Sequence, residues 1–158
     1  MKKNINNGFT LIELIIVMVI LGIMAAVAVP RYLDSISNAE EAAEDAVISS
    51  IRAGLTQYAN NSLYESGRPE WPNDPFTALS EKPAGYSNDG AQADVDGEWT
   101  FIPNGTGGTI THQRADNSRY QWEYNKGIQD GVDDAKIGSL GPRTCLLYTS
   151  PSPRDFQV

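Results

Sequence analysis

The side chains that could carry out chemistry are few in this sequence and do not form a recognisable catalytic group. His112 is the only histidine and Cys145 the only cysteine, and no serine lies in a nucleophile-elbow pattern. A single histidine in a strand-like run is far more often structural than catalytic. We therefore expect no enzyme activity and no catalytic residue, and a single cysteine excludes a disulfide within the chain.

Two acidic clusters contain oxygen ligands of the kind that Ca²⁺ prefers. The first runs from Asp94 to Glu98, and the second comprises Asp130, Asp133 and Asp134. Neither cluster has the full spacing of a calcium loop, and acidic residues in this arrangement are common in solvated turns. The sequence therefore predicts no metal ligand and no cofactor.

Glu13 is the carboxylate with the most unusual setting, because it lies inside an apolar run of 21 residues, 9–29. As a helix this run would be about 30 Å long, which matches the hydrocarbon core of a bilayer. A carboxylate inside such a span costs about 2.5–3.5 kcal/mol on insertion scales. We therefore expect Glu13 to have a positively charged partner in the same apolar layer. Lys2 and Lys3 predict that the N-terminal end stays cytoplasmic.

A secretory signal peptide is the first alternative for this run. The apolar region of a signal peptide has about 7–15 residues and ends at a small-residue cleavage site. The run here is longer, and although residues 26–28 resemble such a site, Pro30 and an amphipathic helical pattern follow. We therefore expect the run to be kept, and the short polar leader before it, residues 1–8, to be removed.

Residues 8–13, GFTLIE, resemble the processing motif of type IV prepilins and of the pseudopilins of type II secretion. The resemblance implies that a membrane peptidase cuts after Gly8 and then N-methylates Phe9. It also implies that Glu13, the fifth residue after the cut, pairs with the Phe9 amine of a neighbouring subunit. Pro30 lies where many members of this family carry a helix-bending proline.

The helical pattern continues beyond Pro30 and becomes amphipathic over residues 30–66. Gly22 and Pro30 both weaken a helix, so we expect a bend between them. Gly67 and Pro69 end the helix at about Ser66. The apolar stripe that we expect to face the core comprises Ile36, Ala39, Ala43, Val47, Ile51, Leu55 and Tyr58. The opposite, solvent-facing side comprises Glu40, Glu41, Glu44, Asp45 and Arg52.

Residues 67–143 are expected to form a small globular region. A short helix is predicted near residues 76–81, and strand-like runs follow at 98–102, 108–113 and 119–124, with turn sequences between them. The short connections favour an antiparallel meander, in which the third strand places Tyr120, Trp122 and Tyr124 on one face against the long helix. The predicted class is α+β: a long N-terminal helix, bent near Pro30, packed on a small antiparallel sheet of about three strands. The resemblance to type IV prepilins implies that this arrangement is the pilin fold.

Residues 144–158 are expected to be a non-native tail. Cys145 to Asp155 read CLLYTSPSPRD, which resembles the conceptual translation of a sequencing adapter. A genuine proline-rich tail is the alternative. If the tail is a scar, Cys145 is not a native residue.

The resemblance implies a structural subunit of a surface filament. The chain would be processed by a prepilin peptidase, handled by an inner-membrane assembly platform, and polymerised with itself through its N-terminal helix. It would lie in the bacterial inner membrane as a precursor and in an extracellular filament afterwards. A formal net charge of −8 argues against a nucleic-acid partner. Two alternatives stay open: a pseudopilin of a type II secretion system, and a monomeric membrane-anchored binding domain, which needs no partner for Glu13.

Overall fold

The computed structural model describes residues 9–127 and 137–146. Helix α1 spans Leu11–Ser66 and is followed by a 3-10 helix, Pro75–Ala78. The strands are β1 (Trp99–Asn104), β2 (Gly107–Gln113), β3 (Arg119–Asn125), β4 (Ser139–Leu140) and β5 (Thr144–Leu146). The chain divides into two compact units, Met1–Ala43 and Glu44–Val158, and the second is called the head unit below. The expected α+β architecture is confirmed.

Helix α1 ends at Ser66, as the sequence predicts. The next residue, Gly67, has a φ of +75°, and its N–H donates to the Leu63 carbonyl at 3.0 Å. Glycine adopts this left-handed conformation without the steric cost that a β-carbon adds, which is why it commonly terminates helices.

The buried stripe of α1 is rotated from the predicted one. Ile51 and Leu55 are buried as predicted, but Ile36 is 39% and Tyr58 is 41% exposed. The placement of Glu44 on the solvent face is wrong, because its side chain is buried. Periodicity alone allows neighbouring stripes, and tertiary packing in the head unit selects between them. The stripe that is buried comprises Glu44, Ile48, Ile51, Leu55 and Ala59.

Strands β1, β2 and β3 form the predicted antiparallel meander. Trp99 lies opposite His112, and Ile110 lies opposite Trp122. The two hairpin connections are the turn sequences that separate the predicted runs, and Asn117 in the second has a φ of +64°. Asparagine tolerates this conformation better than most residues, so the turn chemistry agrees with the sequence.

The core of the head unit is largely aromatic. Trp122 and Tyr124 are buried as predicted, whereas Tyr120 is only half-buried. The Tyr124 hydroxyl donates to the Pro72 carbonyl at 2.8 Å, and burial raises the pKa of this tyrosine. Full burial of a large side chain contributes roughly 1.5–3 kcal/mol. Trp122 and Tyr124 belong to one buried cluster with eight other side chains: Ile48, Ile51, Leu55, Phe76, Trp99, Phe101, Ile110 and Leu140.

Within the described residues the sheet has five strands, whereas the sequence predicts about three. The two additional strands are β4 and β5. Both pair antiparallel with β3: Leu140 lies opposite Tyr124, and Cys145 lies opposite Tyr120. Strands of two and three residues are too short for an alternating pattern, and they form only because β3 offers them backbone partners. Residues 144–146 therefore pair within the sheet, while the non-native origin of residues 144–158 stays a prediction. Residues 147–158 lie outside the described residues.

The predicted helix at 76–81 is a 3-10 helix at Pro75–Ala78. The Asp74 carboxylate caps it by accepting from the Phe76 N–H at 2.9 Å, and it also accepts from the Tyr86 hydroxyl at 2.7 Å. Burial and the Asp74 carboxylate raise the pKa of Tyr86. Phe76 is fully buried, so the short helix serves to place this ring in the core.

Gly54 of α1 allows the 3-10 helix to approach closely. A β-carbon at this position would lie 2.7 Å from the Ala78 carbonyl oxygen. Helix propensity alone favours alanine over glycine by about 1 kcal/mol. We expect Gly54→Ala to destabilise the head unit instead, by about 1–3 kcal/mol, because backbone must move to relieve the overlap.

Denaturant unfolding of the full chain in detergent, followed by tryptophan fluorescence, measures this effect. Gly22→Ala is the matched control, because its added β-carbon would have no described atom within 4 Å beyond its chain neighbours and the backbone of its own helix. An unfolding midpoint for Gly54→Ala at or above that of the unaltered protein would show that the close approach is not required.

Candidate functional site

The first turn of α1 carries a reciprocal set of hydrogen bonds between Thr10 and Glu13. The Glu13 N–H donates to the Thr10 hydroxyl oxygen at 3.3 Å. In return, Glu13 Oε2 accepts from the Thr10 N–H and the Thr10 hydroxyl, both at 2.8 Å. This is the capping-box arrangement, which satisfies backbone donors that a helix start leaves without partners.

Thr10 was not identified from the sequence as part of the site. The signal was present, because a threonine followed three residues later by glutamate, at the start of an apolar helical run, is the pattern of a capping box. The structure therefore adds a local role for Glu13 to the predicted intersubunit one.

The predicted partner of Glu13 is the amine of Phe9. In the unprocessed chain this nitrogen belongs to the peptide bond with Gly8, so the amine exists only after cleavage. The Phe9 side chain is 88% exposed. Gly8 and the rest of the predicted leader lie outside the described residues, and the cleavage, methylation and pairing stay predictions.

No described residue covers the apolar half of α1. From Leu11 to Val29 every large apolar side chain is at least 46% exposed. By length and composition, α1 is able to cross a membrane. An exposed apolar surface of this extent marks a site of contact with lipid or with other protein.

Gly22 and Pro30 lie within α1, which is helical through both positions. Proline has no N–H to donate, so Pro30 leaves one carbonyl of the preceding turn without its usual helical partner. Both features weaken the helix locally, and the bend that they predict stays a prediction.

A second polar group lies in the head unit around the buried Glu44. Arg114 donates to its two carboxylate oxygens through Nε at 2.6 Å and Nη2 at 2.7 Å. Arg143 donates through Nη1 at 3.1 Å, and His112 Nε2 lies 3.8 Å from Oε1. We call Glu44, Arg114 and Arg143 the Glu44 cluster. The four-residue spacing from Glu44 to Ile48 could have flagged this buried position.

The remaining candidates have structural settings. His112 stacks on Trp99, with ring centroids 4.1 Å apart, and its Nδ1 lies 2.9 Å from the Glu98 carbonyl oxygen. In the first acidic cluster, Glu98 Oε2 accepts from the Asp94 N–H at 2.9 Å, as in an ordinary turn. Among the described residues, no group of three or more histidine, cysteine or acidic residues could hold a metal ion. The second acidic cluster, at residues 130–134, lies outside the described residues.

Residues 3–29 match a protein family described as the prokaryotic N-terminal methylation motif. The matched segment contains the predicted cleavage position, Glu13 and the apolar run. No solved structure matches the chain.

Curated relatives extend the similarity beyond this segment. The chain is 34% identical over 114 residues to the type IV narrow pilus major component PilA5 of Thermus thermophilus, covering 72% of this chain and 91% of that protein. It is 42% identical over 67 residues to fimbrial protein Q of Moraxella bovis, covering 42% of this chain and 40% of that protein. It is 36% identical over 86 residues to type II secretion system core protein G of Pseudomonas aeruginosa, covering 54% and 57%. The last two matches span less than two thirds of those relatives.

Proposed function

Because this chain belongs to the type IV pilin family, we propose that it is the repeating subunit of a surface filament, held together through α1. This membership confirms the predicted family and a structural role in place of an enzymatic one. The observation that carries the proposal is the uncovered apolar surface of α1, residues 11–29, with a single carboxylate in its first turn.

This surface needs a partner in both stages of the proposed cycle. Before assembly, a bilayer covers the apolar side chains, and Lys2 and Lys3 keep the N-terminal end at the cytoplasmic face of the bacterial inner membrane. After assembly, the helices of neighbouring copies cover one another. Small residues such as Gly22, Ala25 and Ala26 allow such helices to approach closely.

Cleavage after Gly8 would create the charge that Glu13 needs. Both bonds from Thr10 end on Glu13 Oε2. Among the described residues no hydrogen bond to Oε1 is found, so this oxygen is available to the Phe9 amine of a neighbouring copy. Desolvation of the two charges offsets much of their attraction, so the pair contributes register more than stability.

The proposed partners follow from this cycle. A prepilin peptidase would remove residues 1–8 and methylate Phe9, and an inner-membrane platform would add subunits to the filament base. The stretch between Gly22 and Pro30 would be the first part of α1 to bend as helices pack, because it contains both helix-weakening residues.

A pseudopilin of a type II secretion system is the second candidate, and the match to core protein G of Pseudomonas aeruginosa favours it. Both candidates use the same N-terminal chemistry and differ in filament length and place. A monomeric membrane-anchored binding domain would use neither the Phe9 amine nor a partner for Glu13.

Shearing native cells and probing each fraction with an antibody to the head unit separates the candidates. A surface filament predicts most of the protein in the sheared fraction. Recovery in the membrane fraction alone, in cells that secrete normally and lose secretion when the protein is deleted, would overturn the surface-filament proposal in favour of the pseudopilin.

A further inference from the structure

The Glu44 cluster is a buried group of charges that the proposed function does not use. We propose that it acts as a clasp, in which Glu44 is a positioning residue that holds two distant segments of the head unit in place. Its carboxylate would hold two segments against α1: the turn between β2 and β3, and the connector at residues 141–143 between β4 and β5. The clasp concerns the head unit alone and does not depend on filament formation.

One carboxylate joins segments that are far apart in the sequence. Arg114 is 70 residues from Glu44 and follows β2 directly. Its N–H donates to the Ser118 carbonyl at 2.9 Å, which closes the turn that leads into β3. Arg143 is 99 residues from Glu44 and immediately precedes β5. Fixing Glu44 on α1 therefore fixes both segments at once.

The presence of glutamate at position 44 is better explained by its charge, which pairs with arginine, than by packing. The neighbouring buried positions of the stripe, Ile48 and Ile51, are apolar, and an apolar residue at 44 would be buried without the cost of desolvating a carboxylate. A bidentate arginine–carboxylate pair instead fixes direction and distance. Setting a unique register is the best-attested use of buried ion pairs.

The two arginines differ in their access to water. The side chain of Arg114 is 4% exposed, whereas that of Arg143 is 24% exposed. Arg143 also stands over the Tyr120 ring at 5.5 Å, while Arg114 lies over the same ring at 4.0 Å. The connector is thus the segment that would detach first when the carboxylate is removed.

Hydrogen exchange of the full chain in detergent micelles, read by mass spectrometry, tests the clasp. In Glu44→Gln we expect the connector to exchange about tenfold faster, because its opening no longer breaks an ion pair. The Gly141 N–H is the reporter, since it donates to the Glu123 carbonyl at 2.8 Å. Amides of β1 and β2 should keep their protection. Glu44→Leu should behave like Glu44→Gln, whereas a packing role predicts normal protection in the leucine variant.

Asp45→Asn is the matched control, because it removes the adjacent carboxylate of the same helix. Asp45 is 66% exposed and its Oδ1 lies 4.0 Å from Arg143 Nη1, so exchange at Gly141 should not change. Arg143→Gln keeps the Glu44–Arg114 pair and should loosen the connector without affecting the turn at residues 114–118. If Glu44→Gln unfolds and loses protection throughout the sheet, Arg143→Gln is the variant that tests the clasp. Unchanged connector exchange in Arg143→Gln, or in a folded Glu44→Gln, would overturn the clasp.

Discussion

Cells that carry Glu13→Val should produce at least about tenfold less sheared filament than cells with the unaltered protein, while cleavage after Gly8 continues. Valine removes the cost of about 2.5–3.5 kcal/mol for a carboxylate in the apolar span, so insertion of the subunit in the bilayer becomes more favourable. During assembly, however, the Phe9 amine would enter the apolar layer without a counter-charge. An unpaired buried charge costs several kcal/mol, and each 1.4 kcal/mol is tenfold in an equilibrium.

Immunoblots of the sheared and membrane fractions measure this effect, and the mass of the N-terminal peptide confirms processing. Glu65→Gln is the control, because it removes an exposed carboxylate from the last turn of α1. It should leave the amount of filament unchanged. Normal filament yield in Glu13→Val would show that assembly does not require Glu13 to pair with the Phe9 amine.

Gly8→Leu should abolish filaments by a different route. The larger residue before the cut is expected to block cleavage, so the leader stays attached and the Phe9 nitrogen remains an uncharged amide. Glu13 then has no cationic partner, and Lys2 and Lys3 hold the chain in the membrane. The chain in the membrane fraction should begin at Met1 in intact-mass measurements.

Asn7→Ala is the neighbouring control and should be cleaved and assembled normally. The two assembly variants are distinguished by their N-termini, since Glu13→Val should begin at Phe9 and Gly8→Leu at Met1. Filaments built from Gly8→Leu chains that still begin at Met1 would show that assembly does not require the Phe9 amine.

Features of this fold that depend on local sequence were predictable. The end of α1 at Ser66 follows from Gly67, and strands β1 to β3 follow from alternation and turn residues. The expected third-strand face was largely right, because alternation places Trp122 and Tyr124 on the same side. Each of these elements is determined by residues that lie within it or next to it in the sequence.

Features that depend on distant contacts were not predictable in the same way. The strands β4 and β5 exist through pairing with β3, and their own sequences carry no period. The sequence places Glu44 on the solvent face because its residue type favours water, whereas in the structure Arg114 and Arg143 pair with the buried carboxylate. The buried stripe of α1 is set by where the sheet packs, which the helix pattern alone does not define.

The residues of the candidate site also fall into those that the sequence predicted and one that it did not. Gly8, Phe9 and Glu13 are predicted from a contiguous motif, which lies within the segment that matches the family, and their roles stay predictions. Thr10 was not predicted, although its capping-box pattern lies in the same motif, because a carboxylate inside an apolar span points first to a cationic partner. The structure shows that a neutral neighbour already binds one oxygen of this carboxylate.

Mass spectrometry of filaments sheared from native cells tests the central claim most directly. The account predicts an abundant chain in the sheared fraction that begins at Phe9 and carries a methyl group on its terminal amine. The same spectra would read the C-terminal residues and test the predicted non-native tail. An intact Met1 in both the sheared and the membrane fractions would contradict processing, and with it the pairing of Glu13 and the filament built on it.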